Sequence, residues 1–198
     1  KKNENICEST NRIKVNTNTN YNDKNNALNE EDTTIDLDFE ADTFWCFCYL
    51  MDQLKYIYIR SEDNKERGIM SKIENIKSLL KFRDKNLYTH LSNTLNIDIN
   101  LFCFKWLILI FSQSFSIPDV IRIWDFILFI ETDFDIFFKM YIFSIAIFEY
   151  KKQKISSNDF PIVLMELQNL NDINVEILVG IYKKILKKNK NKIKKLLN

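Results

Sequence analysis

Glycine and proline are nearly absent: the 198 residues hold 2 of each. A strand-rich fold with many tight turns draws heavily on both, so their scarcity favours an all-α fold. Gly68 and Gly180 stand far apart, which excludes the glycine-rich phosphate cradles of P-loop and dinucleotide folds. Histidine is reduced to His90, and a lone histidine beside Tyr88 and Leu91 on a helix reads as a surface or capping residue rather than a base. Cys7, Cys46, Cys48 and Cys103 form no CxxC pair and have no histidine cluster beside them. Zinc and a disulfide framework are therefore not expected, and the setting reads as reduced and intracellular. No Ser or Cys stands in a nucleophile elbow.

Charge of one sign is also lacking. The 28 basic and 27 acidic residues leave a net charge of +1, so the overall balance gives no reason to expect a nucleic-acid partner. Long hydrophobic runs are missing too. Residues 101–148 are strongly apolar but interrupted by Lys105, Asp119, Arg122, Asp125, Glu131 and Lys139, short of the ~20 clean residues of a spanning helix. The opening Lys1-Lys2-Asn3-Glu4 is no signal peptide, and a start at Lys rather than Met reads as an interior beginning, with further function expected upstream.

What the chain does have is 46% hydrophobic and 14% aromatic residues, enough for a sizeable core. They are unevenly spread. Residues 1–29 contain ten asparagines, too polar to offset the entropy of ordering, so 1–37 is expected to be a disordered leader, 38–188 the folded part and 189–198 a Lys-rich tail. Apolar spacing predicts helices over 38–56, through Ile69 to Leu80, from Asp84, over 99–112, after Ser116, from a Thr132/Asp135 cap through Phe148, from Ser156 to Asp159 onward, and from Asp172. Ser116 with Asp119 has the spacing of a capping box, and Pro118 falls in the first turn. The helices at 99–112 and after Ser116 are so apolar that burial on most sides is expected. The architecture is a bundle of about eight helices.

Three segments are distinctive: Glu40-Ala41-Asp42-Thr43-Phe44-Trp45-Cys46-Phe47, Phe104-Lys105-Trp106-Leu107, and Asp119-Val120-Ile121-Arg122-Ile123-Trp124-Asp125. On physical grounds aromatic residues at helical spacing fill a core, with Trp45, Trp106 and Trp124 bonding their indole N–H to a carbonyl or carboxylate. Arg122 lies three residues from both Asp119 and Asp125, which predicts a paired brace in a buried helix rather than a free cation.

In this order the three segments resemble the C-terminal half of a TBC domain, the helical module of Rab GTPase-activating proteins, over roughly residues 38–188. The resemblance implies an all-α fold and action in trans on a Rab-type small GTPase in vesicle traffic. GTP and Mg²⁺ then sit on the partner, and this chain needs no cofactor. It also implies that Glu40, Asp42, Phe44, Phe47, Lys105, Trp106, Asp119, Arg122, Trp124 and Asp125 are structural motif positions with no catalytic residue among them. The family's two fingers, an Arg in Ile-x-x-Asp-x-x-Arg and a Gln in Tyr-x-Gln-Gly, belong to the N-terminal half and should precede Glu40. Only echoes stand there: Ile6 to Arg12 with Ser9 in place of the Asp, and Tyr21-Asn22-Asp23 with Asp in place of the Gln. A carboxylate near the γ-phosphate repels it, so the chain alone is expected not to activate hydrolysis. Two alternatives stay open: a finger-less scaffold that binds a GTPase without catalysis, and a helical protein held to an anionic membrane by the Lys-rich tail, with Ile185, Leu186, Ile193 and Leu196 as its apolar side. The expected location is cytoplasmic, peripheral on endomembranes.

Overall fold

The computed structural model describes residues 30–130 and 134–197, with side chains from Phe39 onward except Lys194. The expected leader over 1–29, including the two finger echoes, and Thr132 lie outside the described residues. The chain divides into two units, Lys1–Trp45 and Cys46–Asn198. Among the described residues the regular structure is helical throughout: α1 Glu30–Leu54, α2 Ile69–Arg83, α3 Lys85–Thr89, α4 Asn100–Ile108, α5 Ile117–Phe129, α6 Ile136–Ser157, α7 Phe160–Gln168 and α8 Val175–Leu197. Short 3₁₀ turns follow α1, and a π turn at His90–Thr94 follows α3. The all-α bundle expected from the scarcity of turn residues is what forms.

Within the second unit α6 is the central element, packing against α2, α4, α5, α7 and α8. Every residue from Ile136 to Phe148 is buried, Lys139 and Ser144 included. The two polar members are satisfied locally: Ser144 Oγ donates to the Met140 carbonyl at 2.9 Å, and Lys139 Nζ donates to the Ile130 carbonyl at 3.1 Å. Burial lowers the Lys139 pKa, the expected direction for an ammonium removed from water. Around this helix Trp106 lies against Phe148 at 5.4 Å between ring centroids and Phe111 against Phe143 at 5.0 Å. Each such ring contributes about 1.5–3 kcal/mol by leaving water. α2 turns one face inward through Ile69, Ile73, Ile76, Leu79 and Leu80, at helical three- and four-residue spacing.

Boundaries differ from the sequence reading where local capping decides. α1 begins at Glu30, well before 38. α4 ends at Ile108 rather than 112, because Ile110 (φ 45°) and Phe111 (φ 64°) take left-handed conformations. Asp135 itself caps α6 by accepting from the Phe138 N–H at 2.7 Å. The cap of α8 is Asn174, whose Oδ1 accepts from the Glu176 N–H at 2.9 Å, and not Asp172. Ser116 makes no capping bond to the backbone; its hydroxyl donates to Asp119 Oδ2 at 2.7 Å. The lysine-rich stretch after 188 is no separate tail: α8 runs unbroken to Leu197. α5 is buried on one side only, through Ile123 and Ile127, and leaves Ile117, Ile121 and Phe129 exposed.

Gly68 is required by a close approach. A Cβ there would stand 1.8 Å from the Glu62 carbonyl oxygen, so the turn that brings the chain into α2 has no room for a side chain.

Candidate interaction surface

The motif residues fall into two sets. Trp106, Lys105 and Trp124 serve packing. Trp106 is fully buried, although its Nε1 finds no acceptor among the described residues. Lys105 Nζ donates to the Gln168 carbonyl at 3.4 Å, covering the last carbonyl of α7, where a cation also complements the helix dipole. Trp124 Nε1 donates to the Ile110 carbonyl at 2.8 Å.

That last bond has a structural purpose. The reversal after α4 contains two non-glycine residues at positive φ, each costing about 1–2 kcal/mol. It is held at several points: Trp124 at the Ile110 carbonyl, the Tyr58 hydroxyl at the Ile108 carbonyl at 2.8 Å, the Phe111 N–H on the Trp106 carbonyl at 2.9 Å, and the Leu170 N–H on the Ser114 carbonyl at 3.1 Å. The reversal aims α5 back along the bundle and so decides which residues of the third motif face outward.

The second set is exposed, and here the core reading of the aromatic motif is corrected. In the first unit Glu40 and Asp42 are exposed, as are Phe44 and Trp45, at 57% and 62%; their rings meet edge to face at 5.7 Å. In the second unit Phe47 is 57% exposed and Tyr49 is also exposed. Arg122 is corrected too. Its side chain is 65% exposed, and its ion pair is Asp119 at 3.9 Å, a long contact. Among the described residues Arg122 and Asp125 form no ion pair, and Asp125 is itself exposed. The helix places all three carboxylate and guanidinium groups near one another, but outside the core, where they stay hydrated.

Arg122 and Asp125 flank an open groove of about 780 Å³ between α5 and α8, floored by Phe126, Phe129, Val179 and Gly180. Elsewhere in the second unit, Lys151 is buried between Glu166 and Asp172, at 2.6 Å from each, and Lys154 bridges the same two carboxylates at 3.1 Å. The hydrogen bond from Lys151 holds the Glu166 pKa below the usual carboxylate range. Burial pushes Asp172 upward, but the bonds from Lys151 and Lys154 outweigh it and its pKa also lies low. This network ties α6, α7 and the approach to α8 together. It was not anticipated from sequence, because its four members are spread over more than twenty positions and only the fold assembles them.

Nothing in these groups resembles a catalytic centre. His90 Nε2 bonds the Ile155 carbonyl at 3.2 Å. Cys103 is fully buried and its thiol pKa is pushed up by that burial, which leaves it protonated and unreactive. Among the described residues no three His, Cys, Asp or Glu side chains gather as metal ligands would, and no helix is long and apolar enough to cross a membrane.

Comparison with known proteins gives the surface its context. A family model described as the Rab-GTPase-TBC domain matches residues 26–156. The human protein TBC1 domain family member 13 is 37% identical over 130 residues, 66% of this chain and 32% of its own length. The GTPase-activating protein GYP1 of Saccharomyces cerevisiae is 35% identical over 88 residues, 44% of this chain and 13% of its own length. The crystal structure of the Ypt/Rab-GAP domain of Gyp1p superposes with a TM-score of 0.61 at 23% identity, covering 76% of this chain and 45% of that one, a likeness of fold. The chain therefore spans less than half of these relatives. With the family model matching more than half of its residues, the chain belongs to the Rab-GTPase-TBC domain family.

Proposed function

We propose that residues 38–188 form the C-terminal part of a GTPase-activating domain that works on Rab-type small GTPases in vesicle traffic. The observation that carries this reading is the family match over residues 26–156, and the likeness to the yeast GTPase-activating protein GYP1 agrees with it. Such an activator acts in trans. The GTPase brings GTP and Mg²⁺, and the activator brings a cation for the developing phosphoryl charge and an amide that orients the attacking water.

This chain supplies neither. Ser9 and Asp23 interrupt the two motifs that would carry the fingers, and Arg122 shares its helix face with Asp119 and Asp125, whose carboxylates oppose the approach of a phosphate. Of the ten motif residues, Lys105, Trp106 and Trp124 serve the packing and Asp119 accepts from Ser116, while the exposed Glu40, Asp42, Phe44, Phe47, Arg122 and Asp125 include no finger. Chain alone therefore leaves a Rab GTPase at its intrinsic rate, whereas a protein that also carries both fingers upstream gains about 10³–10⁵.

Single-turnover GTP hydrolysis over a panel of Rab proteins tests this. The 198-residue chain is expected to change the rate by less than about tenfold. The same chain fused behind an N-terminal lobe of the family that carries Ile-x-x-Asp-x-x-Arg and Tyr-x-Gln-Gly is expected to accelerate at least one Rab strongly. Acceleration by the chain alone overturns the finger-less reading. A longer protein inactive on every Rab overturns the activator reading and leaves a non-catalytic GTPase-binding scaffold.

A further inference from the structure

We infer that α8 is a docking face for an anionic lipid bilayer, held flat on the surface by charge without inserting. The helix carries Lys183, Lys184, Lys187, Lys188, Lys190, Lys192, Lys194 and Lys195 against the single acid Glu176, so its net charge is 8 − 1 = +7. The whole chain is +1, which leaves 1 − 7 = −6 for everything else. A nearly neutral sequence thus hides a strong charge asymmetry, with a net positive excess concentrated on one helix.

The structure decides which way that charge faces. Leu178, Tyr182, Ile185 and Ile193 are buried, and the lysines at 183, 184, 187, 188, 190, 192 and 195 are exposed on the rest of the circumference. Lys183 with Lys187, and Lys184 with Lys188, are like-charge neighbours at i,i+4, an arrangement that weakens a helix in water. In the rest of the second unit Lys151 and Lys154 share Glu166 and Asp172. On α8 no ion pair involves Lys183, Lys184, Lys187, Lys188, Lys192 or Lys195 among the described residues. At 23 residues the helix is about 35 Å long, which spreads its lysines into a broad band.

The occupant that fits is a bilayer rich in acidic headgroups. Lysine acts as a point charge that suits diffuse headgroup charge, while nucleic-acid grooves are met with arginine forks and stacking aromatics, and this face has neither. The net charge of −6 on the remainder repels any polyanion that wraps, but spares one that touches a single face. Insertion, which the amphipathic pattern suggested, is corrected by the packing: Ile185 and Ile193 are already in the core.

Sedimentation with vesicles of phosphatidylcholine alone and of phosphatidylcholine with phosphatidylserine tests the inference on the full chain. Binding is expected to the acidic vesicles, not to the neutral ones, and to fall steeply with salt. Lys183→Gln with Lys187→Gln should lower the partition coefficient about 30-fold, the ~1 kcal/mol per lysine of a surface contact converted at 1.4 kcal/mol per tenfold. Lys183→Arg with Lys187→Arg should retain it, and far-UV circular dichroism should be unchanged in both. Equal binding to neutral vesicles, no binding to acidic ones, indifference to the Gln pair in a folded variant, or preference for a DNA or RNA oligonucleotide over acidic vesicles at the same salt would each overturn the proposal. GTPase assays do not enter, so its failure is separable from that of the Rab reading.

Discussion

Replacing Trp124 by Phe tests the reasoning about the reversal after α4. The indole N–H donates to the Ile110 carbonyl at 2.8 Å, on a residue that is 7% exposed and held at φ 45°. Loss of the bond removes about 0.5–1.5 kcal/mol directly, and an acceptor left without a donor adds up to about 1–2 more. The smaller ring removes a little packing around a half-buried side chain. The sum is a destabilisation of about 2–3 kcal/mol. Tyr58→Phe, which frees the Ile108 carbonyl two residues away, should cost less, about 0.5–1 kcal/mol, because Tyr58 is partly exposed and water can replace it. Since both act on one short strained segment, the double variant should depart from additivity by at least about 0.5 kcal/mol. Urea unfolding followed by far-UV circular dichroism reads all four corners of the cycle. A loss below about 0.5 kcal/mol for Trp124→Phe, or strict additivity, would refute the idea that these two donors jointly hold the reversal.

Other outcomes follow from the same geometry. Lys151→Met should destabilise by about 2 kcal/mol in urea unfolding, less than the loss of a fully buried partner, because Lys154 still reaches both carboxylates and they keep some solvent. The Glu166 pKa is lowered in the folded state, so its stabilisation is present above the unfolded carboxylate value near ~4.3 and is lost as pH falls through the folded value; Lys151→Met should flatten that acid limb of the urea midpoint. Gly68→Ala forces the backbone away from Glu62 and should cost about 2–4 kcal/mol in thermal or urea unfolding. Phe47→Ser should change stability by less than about 0.5 kcal/mol and reduce binding of an apolar dye, since the ring is exposed; a loss of several kcal/mol would mean that it is packed after all.

The helical class, the number of helices and the family were legible in the residues because they rest on near-neighbour regularities. Scarce Gly and Pro exclude turn-rich folds, three- and four-residue apolar spacing marks α2 and α6, and Asp84 announces a cap three positions before the N–H group it bonds. Sidedness was not legible. α5 is as apolar as a buried helix, yet only Ile123 and Ile127 are enclosed, because composition records how many apolar side chains a helix has and not how many neighbours arrive to cover them. Arg122 was read as a buried brace for the same reason.

By itself, then, the sequence determined that this chain is a helical member of the Rab-GTPase-TBC domain family and which residues cap, pattern and identify its helices. The tertiary structure decided what those residues face. It left Lys183, Lys184, Lys187, Lys188, Lys192 and Lys195 of α8 exposed while burying Tyr182, Ile185 and Ile193, assembled Lys151, Lys154, Glu166 and Asp172 across three segments, and ended α4 at Ile108 where long-range bonds from Tyr58 and Trp124 outweigh the helical preference of the apolar run. The reason is distance along the chain: patterns of three to four residues are set by covalent neighbours, whereas burial and charge pairing depend on residues 14 to 50 positions away, as in those two bonds, which meet only when the chain has packed.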